Sequence, residues 1–336
     1  MKRYYKFNFV FFLNTATDYY KYMLYDIFAL NNVRVIDCIY GRTSFNFKPY
    51  RPATNPLSFG NSKSFDASSP QAFVQSVARD FPTNDPIVFF FWMNDYYLFR
   101  SLDFFNYLRD NYPNCKLVCW LTNPIHCYQG LQMFCNEAST KEILSTFDCV
   151  LTYVQLDAMA YGMTYFEEPY SVLPYAQPKL SSDVFFVGRP KDRLEKILRA
   201  YESFKAAGLI CDFYIADVHN TPPLVPSDDL HFNEYLTYDK VLEHVLRSRA
   251  VLDIAQRGTY GLTPRYFESL AYNKNFITDN PFYRQDRFTS PKLFLIDKSF
   301  EIDKEQFMAA AKLSSNYKNE YSPLYLINFL ESFLNS

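Results

Sequence analysis

The sequence predicts an α/β protein of two Rossmann-like, doubly wound halves that face each other across a cleft. Three observations predict it. At 336 residues the chain has about twice the usual length of one domain. Apolar runs of strand length alternate with stretches of helical periodicity, and neither kind accumulates. The alternation pauses at the polar, two-proline stretch 174–182 and then restarts. The expected boundaries are 1–178 for the first domain, 179–310 for the second and 311–336 for a closing helical segment. Ligands of such halves bind in the crevice near the carboxyl ends of the strands.

In the first half, residues 5–13 form an apolar strand ending at Asn14-Thr-Ala-Thr-Asp18, which can open a helix over 18–30. A β-branched strand follows at 33–39. Residues 41–70 lose periodicity and carry Pro, Ser, Asn, Thr and two Gly, the composition of a long surface loop. Ser69 and Pro70 suit the cap and first turn of a helix over 70–80. Ile87–Met93 and Lys116–Leu121 read as central parallel strands with a helix over 96–110 between them. Ser139-Thr-Lys-Glu142 has the spacing of a capping box before a short helix. Cys149–Val154 is a strand, and the helix Gln155–Tyr161 stops at Gly162.

In the second half, Asp183–Val187 is a strand and Gly188–Arg193 a turn. The helix over 193–207 puts Leu194, Ile197, Leu198, Tyr201 and Phe204 on one face and closes at Gly208. The strand Cys211–Ala216, a helix over 238–249, the strand Ala250–Ala255, a helix over 264–272 and the strand Asn275–Thr278 follow. A last helix covers 323–334.

Composition narrows the function. With 49% hydrophobic and 21% charged residues, the chain can bury a sizeable core and is not low-complexity disorder. A net charge of -2 lacks the basic surplus of a general nucleic-acid binder, so no nucleic-acid partner is expected. Seven cysteines without a Cys-x-x-Cys pair suit a reducing compartment. The 34 Phe and 29 Tyr read either as core filling or as a ring-lined carbohydrate or membrane surface. With only 8 Gly, each is expected at a turn needing positive φ. No Gly-x-Gly-x-x-Gly and no Walker loop occurs, which disfavours dinucleotide and P-loop enzymes. The apolar runs Phe9–Leu13 and Ile87–Met93 fall far short of the ~20 residues of a membrane span. The basic start imitates a signal peptide, but Asn8 interrupts its apolar part, and a buried first strand is expected instead.

The richest stretch is Gln256-Arg-Gly-Thr-Tyr-Gly-Leu-Thr-Pro-Arg-Tyr-Phe-Glu-Ser-Leu-Ala271. Thr263 suits an N-cap and Pro264 the first helical position, so a helix begins here with its free N–H groups and positive dipole end. Arg265 and Glu268, three residues apart, share a face. They suit phosphate and ribose hydroxyls of a nucleotide diphosphate, or else form an ion pair on a solvated helix. The second stretch, Asp183-Val-Phe-Phe-Val-Gly-Arg-Pro-Lys-Asp-Arg193, ends a buried strand in Gly188 and the cations Arg189, Lys191 and Arg193. These can neutralise a pyrophosphate, or they are solvated surface charges. In a doubly wound half both stretches lie at the same sheet edge.

These segments resemble bacterial GT-B glycosyltransferases of the capsule, O-antigen and lipooligosaccharide type. The matching pieces are Asp183–Arg193, Tyr238–Ile254, Gly261-Leu-Thr-Pro-Arg-Tyr-Phe-Glu268 and Asn275-Phe-Ile-Thr-Asp-Asn280. Phe147-Asp-Cys-Val-Leu-Thr-Tyr153 and Asp157-Ala-Met-Ala-Tyr-Gly162 resemble that family's last strand–helix unit of the first domain. The resemblance implies that the first domain holds an acceptor, the second a nucleotide-sugar donor, and that the last helix returns to the first domain. It implies Glu268 on the ribose, Arg265, Arg189 and Lys191 on the phosphates, and the loop around Asp217–Tyr238 on the base. Retaining members carry a second Glu eight residues before the helix Glu, where this chain has Tyr260; neither retention nor inversion is assigned.

No Asp-x-Asp occurs, and His126, His219, His231 and His244 lack metal-ligand spacing, so neither a metal nor a cofactor is expected. Cations and a helix N-terminus would stabilise the leaving diphosphate instead. An acceptor hydroxyl can use a base at a strand end of the first domain: Asp95, His126 or Asp18. The implied activity is metal-independent sugar transfer to a hydroxyl of a growing surface glycan, free or lipid-linked. The implied place is the cytoplasm, with peripheral contact at the inner membrane. A nucleotide-sugar epimerase on the same fold and a non-catalytic sugar-binding subunit are the alternatives.

Overall fold

The computed structural model describes residues 5–13, 19–40, 45–50, 74–75, 78, 81, 85–93, 102–125, 137–219, 224–257 and 261–335. The chain divides into two compact units: Met1–Ser171 with Tyr321–Ser336, and Val172–Glu320.

The first unit contains β1 (Asn8–Leu13), β2 (Val33–Tyr40), β3 (Phe45–Tyr50), β4 (Ile87–Met93), β5 (Lys116–Leu121), β6 (Cys149–Thr152) and β7 (Thr164–Tyr165). The sheet order is β3-β2-β1-β4-β5-β6-β7, and only the β2–β3 pair is antiparallel. The order reverses between β1 and β4, where Phe9 pairs with Val33 on one side and Val88 on the other. A parallel strand covered on both faces must be apolar throughout, which accounts for Asn-Phe-Val-Phe-Phe-Leu and Ile-Val-Phe-Phe-Phe-Trp-Met. Every Phe of β1 and β4 is at most 1% exposed. Phe12 stacks on Phe91 at 4.6 Å, and Phe105 meets Phe91 edge-on at 5.1 Å. In these strands the abundant rings fill the core.

The helices here are α1 (Tyr20–Met23), α2 (Tyr25–Phe28), α3 (Leu102–Asn111), α4 (Glu137–Leu144) and α5 (Gln155–Tyr161). The structure corrects three expectations. The helix over 18–30 is two short turns, interrupted at Leu24 (φ -101°, ψ 13°). The loop over 41–70 contains β3, whose Phe45 and Phe47 have the two-residue spacing of a strand and whose Pro49 is tolerated because β3 lies at the sheet edge. Ser139 lies inside α4 rather than capping it, because the helix begins at Glu137. Gly162 ends α5 at φ 66°, a left-handed conformation that its missing Cβ permits.

The second unit has β8 (Ser182–Gly188), β9 (Cys211–Ile215), β10 (Leu230–Phe232), β11 (Ser248–Asp253), β12 (Asn275–Thr278) and β13 (Leu293–Leu295). All neighbours in the order β10-β9-β8-β11-β12-β13 are parallel. This is a doubly wound order that reverses between β8 and β11. The helices are α6 (Leu194–Ala206), α7 (Tyr238–Arg247), α8 (Pro264–Ala271) and α9 (Lys304–Ala310). On α6, Ile197, Leu198 and Phe204 are buried, with Leu194 and Tyr201 packed partly against the same core.

The closing helix α10 (Pro323–Phe333) belongs to the first unit. Ser322 caps it, accepting from Leu324 N–H at 3.3 Å and donating its hydroxyl to Asp26. Glu331 on α10 accepts from Lys6 N–H at 3.1 Å and Phe7 N–H at 2.9 Å, which ties α10 to the residues leading into β1.

Candidate functional site

The order of the second sheet reverses between Gly188, the last residue of β8, and Asp253, the last of β11. Strands that diverge at such a point leave a crevice beyond their carboxyl ends. The loops leaving β8, β9, β11 and β12 therefore bring their side chains to one edge. Gly188 does not adopt positive φ, and a Cβ there would make only ordinary contact, 3.5 Å from Phe186 and 3.8 Å from Arg193. The turn is made by Lys191, at φ 47°.

The three cations of this turn have different fates. Arg193 turns inward: its guanidinium donates to the Ile254 carbonyl and, at 3.1 Å, to the Arg189 carbonyl. Burial depresses its pKa while Asp253, Asp192 and Asp279 counteract the burial. Its Nε is buried and makes no hydrogen bond. Arg189 stays outside, 67% exposed, with Nε 2.8 Å from Asp217. Tyr235 donates its hydroxyl to the same carboxylate, and Asp217 holds φ 56°. Lys191 donates to Gln256 Oε1 at 2.8 Å. These outer pairs are weak, since an exposed ion pair contributes ~0–1 kcal/mol and exchanges readily for a better anion.

Beneath them Asp253 is buried. It accepts from Thr278 Oγ1 at 3.1 Å. Burial pushes its carboxyl up to about 6 against the pull of Arg193 and the Thr278 hydroxyl. The next residue pair is tighter. Arg265 Nη1 lies 2.7 and 2.6 Å from the two Glu268 oxygens, Nη2 donates to Val187 O at 3.4 Å, and Tyr238 donates to Glu268 Oε1 at 2.8 Å. Glu268 is wholly buried. Burial works most strongly against the charged guanidinium, yet Glu268, Tyr238 and Asp253 together outweigh it and hold Arg265 above its ordinary value. The pair is therefore internal rather than spread on a solvated face, and both Glu268 oxygens are already engaged.

Thr263 stands at the N-cap of α8 with extended backbone (φ -115°, ψ 157°), but its side chain does not cap the helix. Pro264 has no N–H, and Tyr266 N–H turns back on Thr263 O at 3.0 Å. This end of α8 thus has fewer free donors than the capping pattern implies. On the other flank, Asn233 (φ 59°) accepts from Val218 N–H at 2.7 Å and donates to Val218 O at 3.1 Å, which shapes the loop after β9. Tyr214 and His231 stack at 4.3 Å beside it.

Asp18, Asp95, His126 and Tyr260 lie outside the described residues. Among the described residues no group of three or more His, Cys, Asp or Glu could hold a metal ion. Sequence reasoning placed the loop from Asp217 to Tyr238 at the base but gave no role to Asp253, and it missed the bonds from Tyr238 to Glu268 and from Tyr235 to Asp217. For Asp253 the signal was present: a lone carboxylate closing an apolar run is a buried polar group that needs partners.

No protein-family model and no curated protein matches the chain. Solved structures do. An alpha-glucosyltransferase in complex with UDP and a 13-mer DNA superposes at TM-score 0.55 with 12% identity over 98% of this chain and 94% of that one. The catalytic domain of starch synthase IV from Arabidopsis thaliana, bound to ADP and acarbose, gives 0.55 with 9% identity over 98% of each chain. A putative UDP-N-acetylglucosamine 2-epimerase from Listeria monocytogenes gives 0.52 with 12% identity over 97% and 96%. At such identities the likeness establishes the two-domain α/β fold of the GT-B type. The first of these neighbours holds DNA, so the exclusion of nucleic acid rests on net charge and gains nothing from the fold.

Proposed function

We propose that the chain is a nucleotide-sugar-dependent glycosyltransferase. One observation carries the reading: Arg189 and Lys191 stand on the turn after β8, at the reversal point of the second sheet, each held by one displaceable partner. A diphosphate arriving there would exchange Asp217 and Gln256 for charge-assisted bonds to its own oxygens. Arg193 and Arg265, locked below by carbonyls and Glu268, would hold the turn and add fixed positive potential without moving. The leaving diphosphate would be stabilised by these cations, with neither metal nor cofactor. The loop from Asp217 to Tyr238 would meet the base. Glu268 would reach a ribose only by releasing Tyr238 or Arg265.

Resemblance supports a hydroxyl of a growing surface glycan as acceptor, free or lipid-linked, of the capsule, O-antigen or lipooligosaccharide kind. It likewise supports a cytoplasmic enzyme in peripheral contact with the inner membrane. No helix among the described residues is long and apolar enough to cross a membrane.

The likeness to the putative epimerase favours a second reading, inversion of a nucleotide-linked sugar without an acceptor. One experiment separates them. The protein is screened by thermal shift against UDP, ADP, GDP and their sugars, and each stabilising sugar nucleotide is then incubated with and without glycan acceptors. A transferase releases nucleoside diphosphate in step with glycan elongation. An epimerase yields a new sugar nucleotide with no acceptor present. A protein stabilised by none of the nucleotides refutes both.

A further inference from the structure

Backbone bonds on both sides set Asp217 opposite Arg189. On one side Ala216 N–H donates to Gly188 O at 3.1 Å, carrying the pairing of β8 with β9 one residue past Ile215. On the other side Val218 N–H donates to Asn233 Oδ1 at 2.7 Å, and Val218 O accepts from Asn233 Nδ2 at 3.1 Å. Asn233 N–H in turn donates to Ile215 O at 2.8 Å. Arg189 is tied at its own carbonyl, which accepts from Arg193 at 3.1 Å. Between its two tied neighbours Asp217 takes φ 56°, in the left-handed region that Asp and Asn tolerate better than most other side chains. The fold therefore places this carboxylate; the pair is not a chance meeting of two flexible side chains.

Both oxygens of the carboxylate are engaged. Oδ2 lies 2.8 Å from Arg189 Nε, and Oδ1 accepts the Tyr235 hydroxyl. One oxygen on a guanidinium and another on a hydroxyl is the pattern a phosphate makes with its protein partners. Exposure is unequal within the pair. The Asp217 side chain is 28% exposed, whereas Arg189 and Tyr235 are mostly open to solvent. A ligand can thus reach the cation from outside while the carboxylate retreats. The contacts join three segments at one sheet edge: the turn after β8, the loop after β9 and the segment after β10.

We propose that Asp217 is a built-in stand-in for phosphate, which keeps Arg189 occupied in the free protein and is displaced by the diphosphate of the ligand. The inference rests on the donor reading above and adds the regulation of that site. It gives Asp217 a sign opposite to that of a residue that positions Arg189: the carboxylate lowers affinity for phosphate-bearing ligands, because its pair with Arg189 must break before they bind. Displacement also releases Tyr235, which the same carboxylate holds. Tyr235 belongs to the loop that would meet the base, so one side chain couples the phosphate end of the site to the base end. A nucleoside without phosphate leaves the pair in place.

Asp217→Asn keeps the shape, the backbone preference and an acceptor for Tyr235 while removing the charge. By calorimetry, the nucleoside diphosphate that stabilises the wild type should bind this variant roughly fivefold more tightly, the upper range for one exposed ion pair. Affinity for the parent nucleoside should stay within twofold. In an Arg189→Ala background the gain from Asp217→Asn should vanish, since no cation is left to release. Tyr235→Phe removes the second hold on the carboxylate and should raise diphosphate affinity about twofold, which keeps the test available should Asp217→Asn fold poorly. Unchanged or weakened diphosphate binding in Asp217→Asn, an equal gain for the nucleoside, or the same gain without Arg189 overturns the stand-in and leaves the donor reading intact. Failure of every nucleoside diphosphate to bind either the wild type or Asp217→Asn overturns both.

Discussion

Arg193, on the turn after β8, donates its guanidinium to the carbonyl of Ile254 just beyond β11, so one side chain spans the reversal point of the second sheet. It also faces Asp253, whose burial it partly offsets. Arg193→Ala should leave that carbonyl and Asp253 without their cation, at a cost of ~1–3 kcal/mol in the urea transition of the second unit. A loss within experimental error would show that the bridge holds nothing.

Arg265 and Glu268 form an ion pair in which Glu268 is fully buried and bonded also to Tyr238, while Arg265 is largely covered. Removing one member strands the other. Glu268→Ala should destabilise the second unit by ~3–5 kcal/mol, whereas the double replacement Arg265→Met with Glu268→Leu should recover most of that loss. The two roles open to Glu268 part here. Full stability combined with lost nucleotide affinity in Glu268→Ala would mean that it serves the ribose and not the helix.

Much of this was legible in the sequence, and the reason is local. β8 and α6 declared themselves through a continuous apolar run and a one-sided face, and α8 through Thr263-Pro264 and the three-residue spacing of Arg265 and Glu268. What spacing cannot reveal is burial, so the same two residues read equally well as a solvated pair. β10 and β13, three residues each, are too short to carry a period, and the tertiary sheet defines them. Lys304–Ala310 went unread although Asp303 caps it, accepting from Glu305 N–H at 2.9 Å.

Asp253 gives a pH dependence whose sign is fixed. Its carboxyl sits at about 6 in the fold, above the ~3.9 of an unfolded Asp, so between these values the folded state binds the proton more tightly. The stability from this group is full below pH ~4 and is lost as pH rises through ~6. Asp253→Asn is neutral throughout, so its stability relative to wild type should climb over that window, by up to ~3 kcal/mol. Parallel denaturation curves at pH 4 and pH 7 would remove Asp253 as the titrating group.

A diphosphate held by cations alone predicts indifference to chelation. Transfer should proceed at an unchanged rate after EDTA treatment. Abolition by EDTA with recovery on adding manganese would replace the cationic site by a metal-held one.

The exposed cations of the turn after β8 make the sharpest demand, because they should sense phosphate and nothing else of the donor. Arg189 and Lys191 now hold Asp217 and Gln256, which a diphosphate must displace. Each charge-assisted bond to phosphate, less the weak pair it replaces, is worth about tenfold in affinity. Arg189→Ala and Lys191→Ala together should therefore weaken nucleoside diphosphate ~100-fold by calorimetry and leave the parent nucleoside unaffected. The melting temperature should hold, since neither side chain is packed in the core. Equal loss of nucleoside and diphosphate would point to a disturbed loop instead, and no loss of either would place the diphosphate elsewhere on the chain.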